Sequence, residues 1–165
     1  VLSLTSVMST TGNRRLPKPR PEALKALMGR PPAEATLEQV VPIVINVSRA
    51  IGSPAYPAPE ARLRERIERD FHRSFYPQGA ARQLAAIIDD GDRRTRLKRI
   101  GAPSLVIHGI DDPLVPVEGG RDTAANIRGA KLHEIAGMGH DLPGALLERL
   151  AEGIAHTAGR AGVGA

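Results

Sequence analysis

Two short apolar runs constrain this chain more than anything else in it. The first, Ser104-Leu105-Val106-Ile107-His108, stops at Gly109 and leads into Ile110-Asp111-Asp112-Pro113-Leu114-Val115-Pro116. The second ends at Glu134-Ile135 and passes through Ala136-Gly137-Met138-Gly139 to His140-Asp141-Leu142-Pro143. An apolar run that halts at glycine and then offers an acid or a histidine reads as a parallel strand delivering a polar side chain at its carboxyl end. Two such deliveries, acid first and histidine second, match two members of a hydrolytic triad.

The chemistry needs a histidine with one nitrogen free to take a proton from a nucleophile and the other held by an acid. Asp112 suits the acid, because Pro113 forces it into an extended conformation that can carry the carboxylate over the sheet end. Asp111 is its rival, and a simple cap on the turn before Leu114 is the bland alternative. His140 suits the base, since Gly137 and Gly139 allow a tight approach. His108 reads as a residue packed beside the site, and His72, His133 and His156 as surface residues. No two histidines show H-x-x-x-H spacing, so no metal is expected. Gly119-Gly120 is too isolated for a phosphate loop, and no Walker or dinucleotide fingerprint is present; a hydrolytic reaction of this kind would need no cofactor.

The 165 residues, 41% apolar and 25% charged, suffice for one ordinary globular domain with a real core. Without an apolar run near the ~20 residues of a membrane span, a cytoplasmic chain is the default expectation. Cysteine is absent, which removes disulfides, thiolate metal sites and a cysteine nucleophile. The net charge of +5 comes from arginines scattered along helical stretches, such as Arg62, Arg64, Arg66 and Arg69. A nucleic-acid binder ranks low, because the aromatic platforms that bind single strands are missing.

In chain order, Val1 to Val7 reads as a strand buried on both faces that begins without a preceding turn. Prolines 17, 19 and 21 delay helix until 22–28. Residues 33–50 have helical spacing that Pro42 kinks or splits. Leu63, Ile67 and Phe71 form one stripe on a surface helix over 60–74. The helix over 78–89 is expected to face Leu84, Ala85, Ile87 and Ile88 inward. A short helix or turn spans 93–100, and the strand at 104–108 follows. The pattern closes with a helix from about 119 to 127, a strand over 131–135, a helix over about 144–158 and a frayed tail over 159–165. The four aromatics, Tyr56, Phe71, Phe75 and Tyr76, all fall between residues 14 and 92. Tyr56, Phe75 and Tyr76, with Met138, are candidate pocket residues, weighed against a small helical core of their own.

The segment from Pro103 to Pro143 resembles the last two strands of the α/β-hydrolase fold, where a strand-Gly-x-x-Asp-Pro-x-x-Pro pattern carries the triad acid and a Gly-x-Gly-His element the histidine. Residues 2–13 resemble the strand and loop after the nucleophile-bearing helix, and residues 21–92 the helical cap inserted there. Through Ser74-Phe75-Tyr76-Pro77, residues 97–116 and Gly137-Met138-Gly139-His140-Asp141-Leu142-Pro143, the chain is similar to carboxylester hydrolases of the aclacinomycin methylesterase type. The resemblance implies the C-terminal part of an α/β-hydrolase fold: a partial parallel sheet flanked by helices, with a helical cap insertion. It divides the chain into a first core strand and loop (1–13), a cap (14–92) and a C-terminal core (93–165).

One part of the family pattern is missing. The Gly-x-Ser-x-Gly nucleophile turn belongs N-terminal to Val1 in this fold, and no serine at 3, 6, 9, 48, 53, 74 or 104 is framed that way. Asp112 and His140 are therefore expected to serve a carboxylic ester or related acyl substrate only when an N-terminal half completes them, and the chain alone is expected to be inactive. The alternative is a non-catalytic, truncated or split hydrolase acting as a binding or structural module. The chain is expected either to self-associate through Val1 to Val7 or to complement a separate N-terminal half, with no membrane partner.

Overall fold

The computed structural model describes residues 1–29 and 31–162. Of the tail expected to fray, residues 163–165 lie outside the described residues, whereas Arg160–Gly162 form a 3-10 turn. Among the described residues, three strands, β1 (Leu4–Val7), β2 (Ser104–Gly109) and β3 (Lys131–Ile135), make one parallel sheet in the order β1-β2-β3. Leu4 registers with Ser104, and Leu105 with Lys131. Five helices among the described residues lie between β1 and β2: α1 (Pro21–Met28), α2 (Leu37–Ile51), α3 (Glu60–Arg73), α4 (Gln78–Asp90) and α5 (Arg94–Leu97). Helix α6 (Glu118–Ala125) connects β2 to β3, and α7 (Leu147–Gly159) follows β3 after a 3-10 turn at Gly144–Leu146.

Strand β2 is buried along its whole length, as the consecutive apolar residues Leu105-Val106-Ile107 require when both faces are covered. Leu105 and Ile107 join Ile135, Met138, Leu146 and Leu150 in a core beneath α7, against which Val7, Met8 and Tyr56 pack. His108 points to the other face, against Gly120 of α6. Each fully buried Ile or Met side chain here contributes roughly 1.5–3 kcal/mol.

The helical insertion holds a core of its own. Val40 and Ile45 of α2 meet Leu63 and Ile67 of α3, with Phe71 and Phe75 at the margin. The stripe of Leu63, Ile67 and Phe71 on α3 thus faces inward as expected, and α2 runs through Pro42 without a break. A capping box between Thr36 and Gln39 fixes the start of α2.

Two expectations fail. The first strand begins at Leu4, because Val1 and Leu2 are exposed and make no ladder; its residues are half-buried rather than buried, since β1 lies at the sheet edge with one neighbour. Helix α4 turns no residue inward: Leu84, Ile87 and Ile88 are 44%, 59% and 66% exposed. Its apolar periodicity is real, but among the described residues no element packs across that face.

Candidate active site

The site forms where the segments after β2 and β3 are stitched together. Ile110 N–H donates to the Ile135 carbonyl (3.0 Å) and Asp111 N–H to the Met138 carbonyl (3.1 Å). A Cβ at position 109 would lie 2.2 Å from the Met138 carbonyl oxygen, so only glycine permits this approach. Asp111, the rival acid, is spent on the stitching: its Oδ2 accepts the Gly137 N–H at 2.7 Å. Gly137 itself has φ +74°, a left-handed conformation natural to glycine.

Asp112 is 4% exposed, and a buried carboxylate needs every lone pair answered. Its Oδ1 accepts the Leu114 N–H (2.9 Å) and the Val115 N–H (2.8 Å). Its Oδ2 lies 2.7 Å from His140 Nδ1. An ionised carboxylate only accepts, so Nδ1 carries the proton and Nε2 carries the free lone pair. Among the described residues no serine hydroxyl bonds to His140. One oxygen of Asp112 thus caps its own turn and the other contacts His140.

His108 is fully buried beside this pair, with Nε2 3.6 Å from Asp112 Oδ2 and 2.8 Å from the Val115 carbonyl oxygen. A carbonyl accepts, so Nε2–H donates there, and His108 braces the same turn whose N–H groups hold Asp112. Its Nδ1 has no partner among the described residues and faces Gly120, where a Cβ would stand 2.4 Å away.

The candidate pocket residues part company. Met138 is 0% exposed and belongs to the core under α7, where Tyr56 packs against the same cluster. Phe75 stacks on Phe71 at 4.8 Å between ring centroids. Tyr76 is exposed, with the Arg82 guanidinium 5.7 Å from its ring centre. Phe75 and Tyr76 line an apolar groove of about 550 Å³ within the insertion. A second cavity, about 560 Å³, lies between the insertion and the stitched segments and is lined by Gly52, Ser53, Asp111, Pro113 and Asp141 among others.

Sequence reasoning missed Ser53, which is 4% exposed and joins Asp141 and Gly139. A serine in a proline-flanked loop carries no local signal of that contact.

No family model matches the chain. A 2-hydroxy-6-oxononadienedioate/2-hydroxy-6-oxononatrienedioate hydrolase of Klebsiella pneumoniae is 29% identical over 143 residues, which are 85% of this chain and 48% of that protein. The rhodomycin D methylesterase of Streptomyces peucetius is 44% identical over 66 residues, 39% of this chain and 22% of that one. Among solved structures, an esterase from a Rhodococcus species superposes with a TM-score of 0.67 at 18% identity, covering 98% of this chain and 57% of its own. The chain thus spans about half the length, or less, of the proteins it matches.

Proposed function

We propose that this chain, which carries the fold of the C-terminal portion of an α/β-hydrolase, supplies the general base and its orienting acid for hydrolysis of a carboxylic ester or related acyl bond. The observation that carries the reading is the 2.7 Å contact from His140 Nδ1 to the buried Asp112 carboxylate, which leaves Nε2 with a free lone pair. In such a reaction Nε2 takes the proton of a serine hydroxyl as that oxygen attacks the ester carbonyl. It then returns the proton to the leaving alcohol, while Asp112 stabilises the imidazolium formed in between. Water deprotonated by the same Nε2 then attacks the acyl–serine, and the proton goes back to the serine oxygen as the acid leaves. The serine comes from a Gly-x-Ser-x-Gly turn outside this sequence. The helical insertion is a cap over the acyl site, an assignment supported by its position between β1 and β2 and by the cavity it forms with Asp111 and Asp141.

Labelling by a fluorophosphonate, which reacts with base-activated serines, tests this reading. The chain is produced together with a polypeptide supplying a strand, a Gly-x-Ser-x-Gly turn and a helix. The serine labels in that complex and stops labelling when His140→Ala is introduced; labelling indifferent to His140→Ala overturns the proposal.

The outer edge of β1 favours a second reading, in which the chain is a binding module. Its backbone has no neighbour on that side among the described residues, and Val1 and Leu2 are exposed beside it. An open strand edge is a template for pairing. Concentration-dependent sedimentation that Thr5→Pro abolishes supports pairing through residues 1–7, and a concentration-independent monomer excludes it.

A further inference from the structure

The segment bearing His140 is held by the helical insertion as much as by the sheet. His140 N–H donates to the Ile51 carbonyl at 2.7 Å, and Ala55 N–H to the Gly137 carbonyl at 3.1 Å. Contact is so close that a Cβ at position 139 would sit 2.3 Å from the Gly52 carbonyl oxygen, and one at position 137 would sit 2.3 Å from Ala55 Cβ. Between these two crossings lies Ser53, buried at 4% exposure. Its hydroxyl donates to Asp141 Oδ1 and accepts the Gly139 N–H at 2.9 Å. One hydroxyl thereby fixes the residues on both sides of His140.

We propose that Ser53 is a positioning residue, tying the orientation of the His140 imidazole to the docking of the helical insertion; the inference rests on the reading of His140 as the base. The Ser53 proton can serve only one acceptor, and Asp141 takes it, which leaves the lone pair for Gly139. Alanine at 53 strands a buried N–H and a carboxylate oxygen together. The segment then relaxes from the insertion, and the ring held between its backbone and Asp112 loses its fixed angle. Ser53 and Asp141 also line the 560 Å³ cavity with Asp111. A ligand there touches the tie itself, so occupancy of the cavity is felt at His140.

The test is a two-bond proton–nitrogen NMR spectrum of the imidazoles in the 165-residue chain, taken above their titration range, which reports the tautomer of each ring. In the unsubstituted protein His140 shows its proton on Nδ1. In Ser53→Ala the ring becomes a mixture of both tautomers, and the Gly139 and His140 amides exchange about fivefold faster or more, as expected for one lost hydrogen bond. Ser53→Thr, which keeps the hydroxyl, restores the Nδ1 form. Asp141→Ala removes the acceptor from the other side, gives the same mixture, and serves if Ser53→Ala does not fold. A pure Nδ1 form in folded Ser53→Ala or in Asp141→Ala overturns this inference and leaves the reading of His140 standing. A proton on Nε2 in the unsubstituted chain overturns both.

Discussion

His140 Nδ1 and Asp112 Oδ2 meet at 2.7 Å across 28 positions of sequence, while the other oxygen of the same carboxylate is occupied by the Leu114 and Val115 N–H groups. The carboxylate thus has one defined face for the histidine and one for its own turn.

That division determines what Asp112→Asn does. The asparagine oxygen stays with the two backbone N–H groups, so the amide nitrogen faces His140 and donates to Nδ1. The imidazole proton is driven onto Nε2, the wrong tautomer for a base. In a completed triad the expected loss is on the order of 10⁴ in kcat. The same NMR spectrum checks the tautomer, and a retained Nδ1 proton contradicts the assignment.

Gly120→Ala sets two effects against each other. Alanine gains about 1 kcal/mol of helix propensity. Its Cβ, however, would lie 2.4 Å from His108 Nδ1, and the ring cannot withdraw because Nε2 holds the Val115 carbonyl. Overpacking of this kind costs about 1–3 kcal/mol, so a net fall in unfolding free energy is expected from urea denaturation. Unchanged or increased stability contradicts the close packing of α6 on His108.

The elements around the site were legible because local pattern and burial agree there. The run ending at Gly109 has the apolar residues Leu105, Val106 and Ile107 at the centre of what β2 buries, and the acid and histidine loops carry their own glycines and prolines. Helix α4 shows the limit. The spacing of Leu84, Ile87 and Ile88 announces an amphipathic helix, but periodicity carries no information about whether a partner faces it. Met138 departs in the opposite sense: a candidate pocket residue in sequence, it is buried in the core under α7. Ser53 was invisible because its partners lie 86 and 88 residues away.

The exposure of α4 gives a direct check. Ile87→Lys and Ile88→Lys replace side chains 59% and 66% exposed, and each is expected to change unfolding free energy by less than about 0.5 kcal/mol. A loss of about 2 kcal/mol or more, the size of a buried aliphatic deletion, contradicts the position of the helix.

His133 on β3 supplies a pH dependence. Burial, and then the charge of Arg149, hold its pKa below the usual 6.5. Arg149 donates to Nε2 at 2.6 Å, a contact that requires that nitrogen to be unprotonated. With the folded value depressed, the unfolded chain binds the proton more readily. The His133 contribution is therefore full above 6.5 and declines as pH falls toward the folded value. Arg149→Ala raises the midpoint seen by NMR without bringing it fully to 6.5, because burial is the larger cause. A midpoint that stays put or falls contradicts the Arg149 contact.

The most direct measurement is turnover of an unactivated methyl ester, which free imidazoles do not cleave, by the chain alone and by the chain completed with a Gly-x-Ser-x-Gly unit. The prediction is no turnover by the chain alone, and turnover in the completed form that falls on the order of 10⁶-fold with His140→Ala. Turnover by the chain alone that vanishes in His140→Ala, or completed-form turnover indifferent to that substitution, contradicts it.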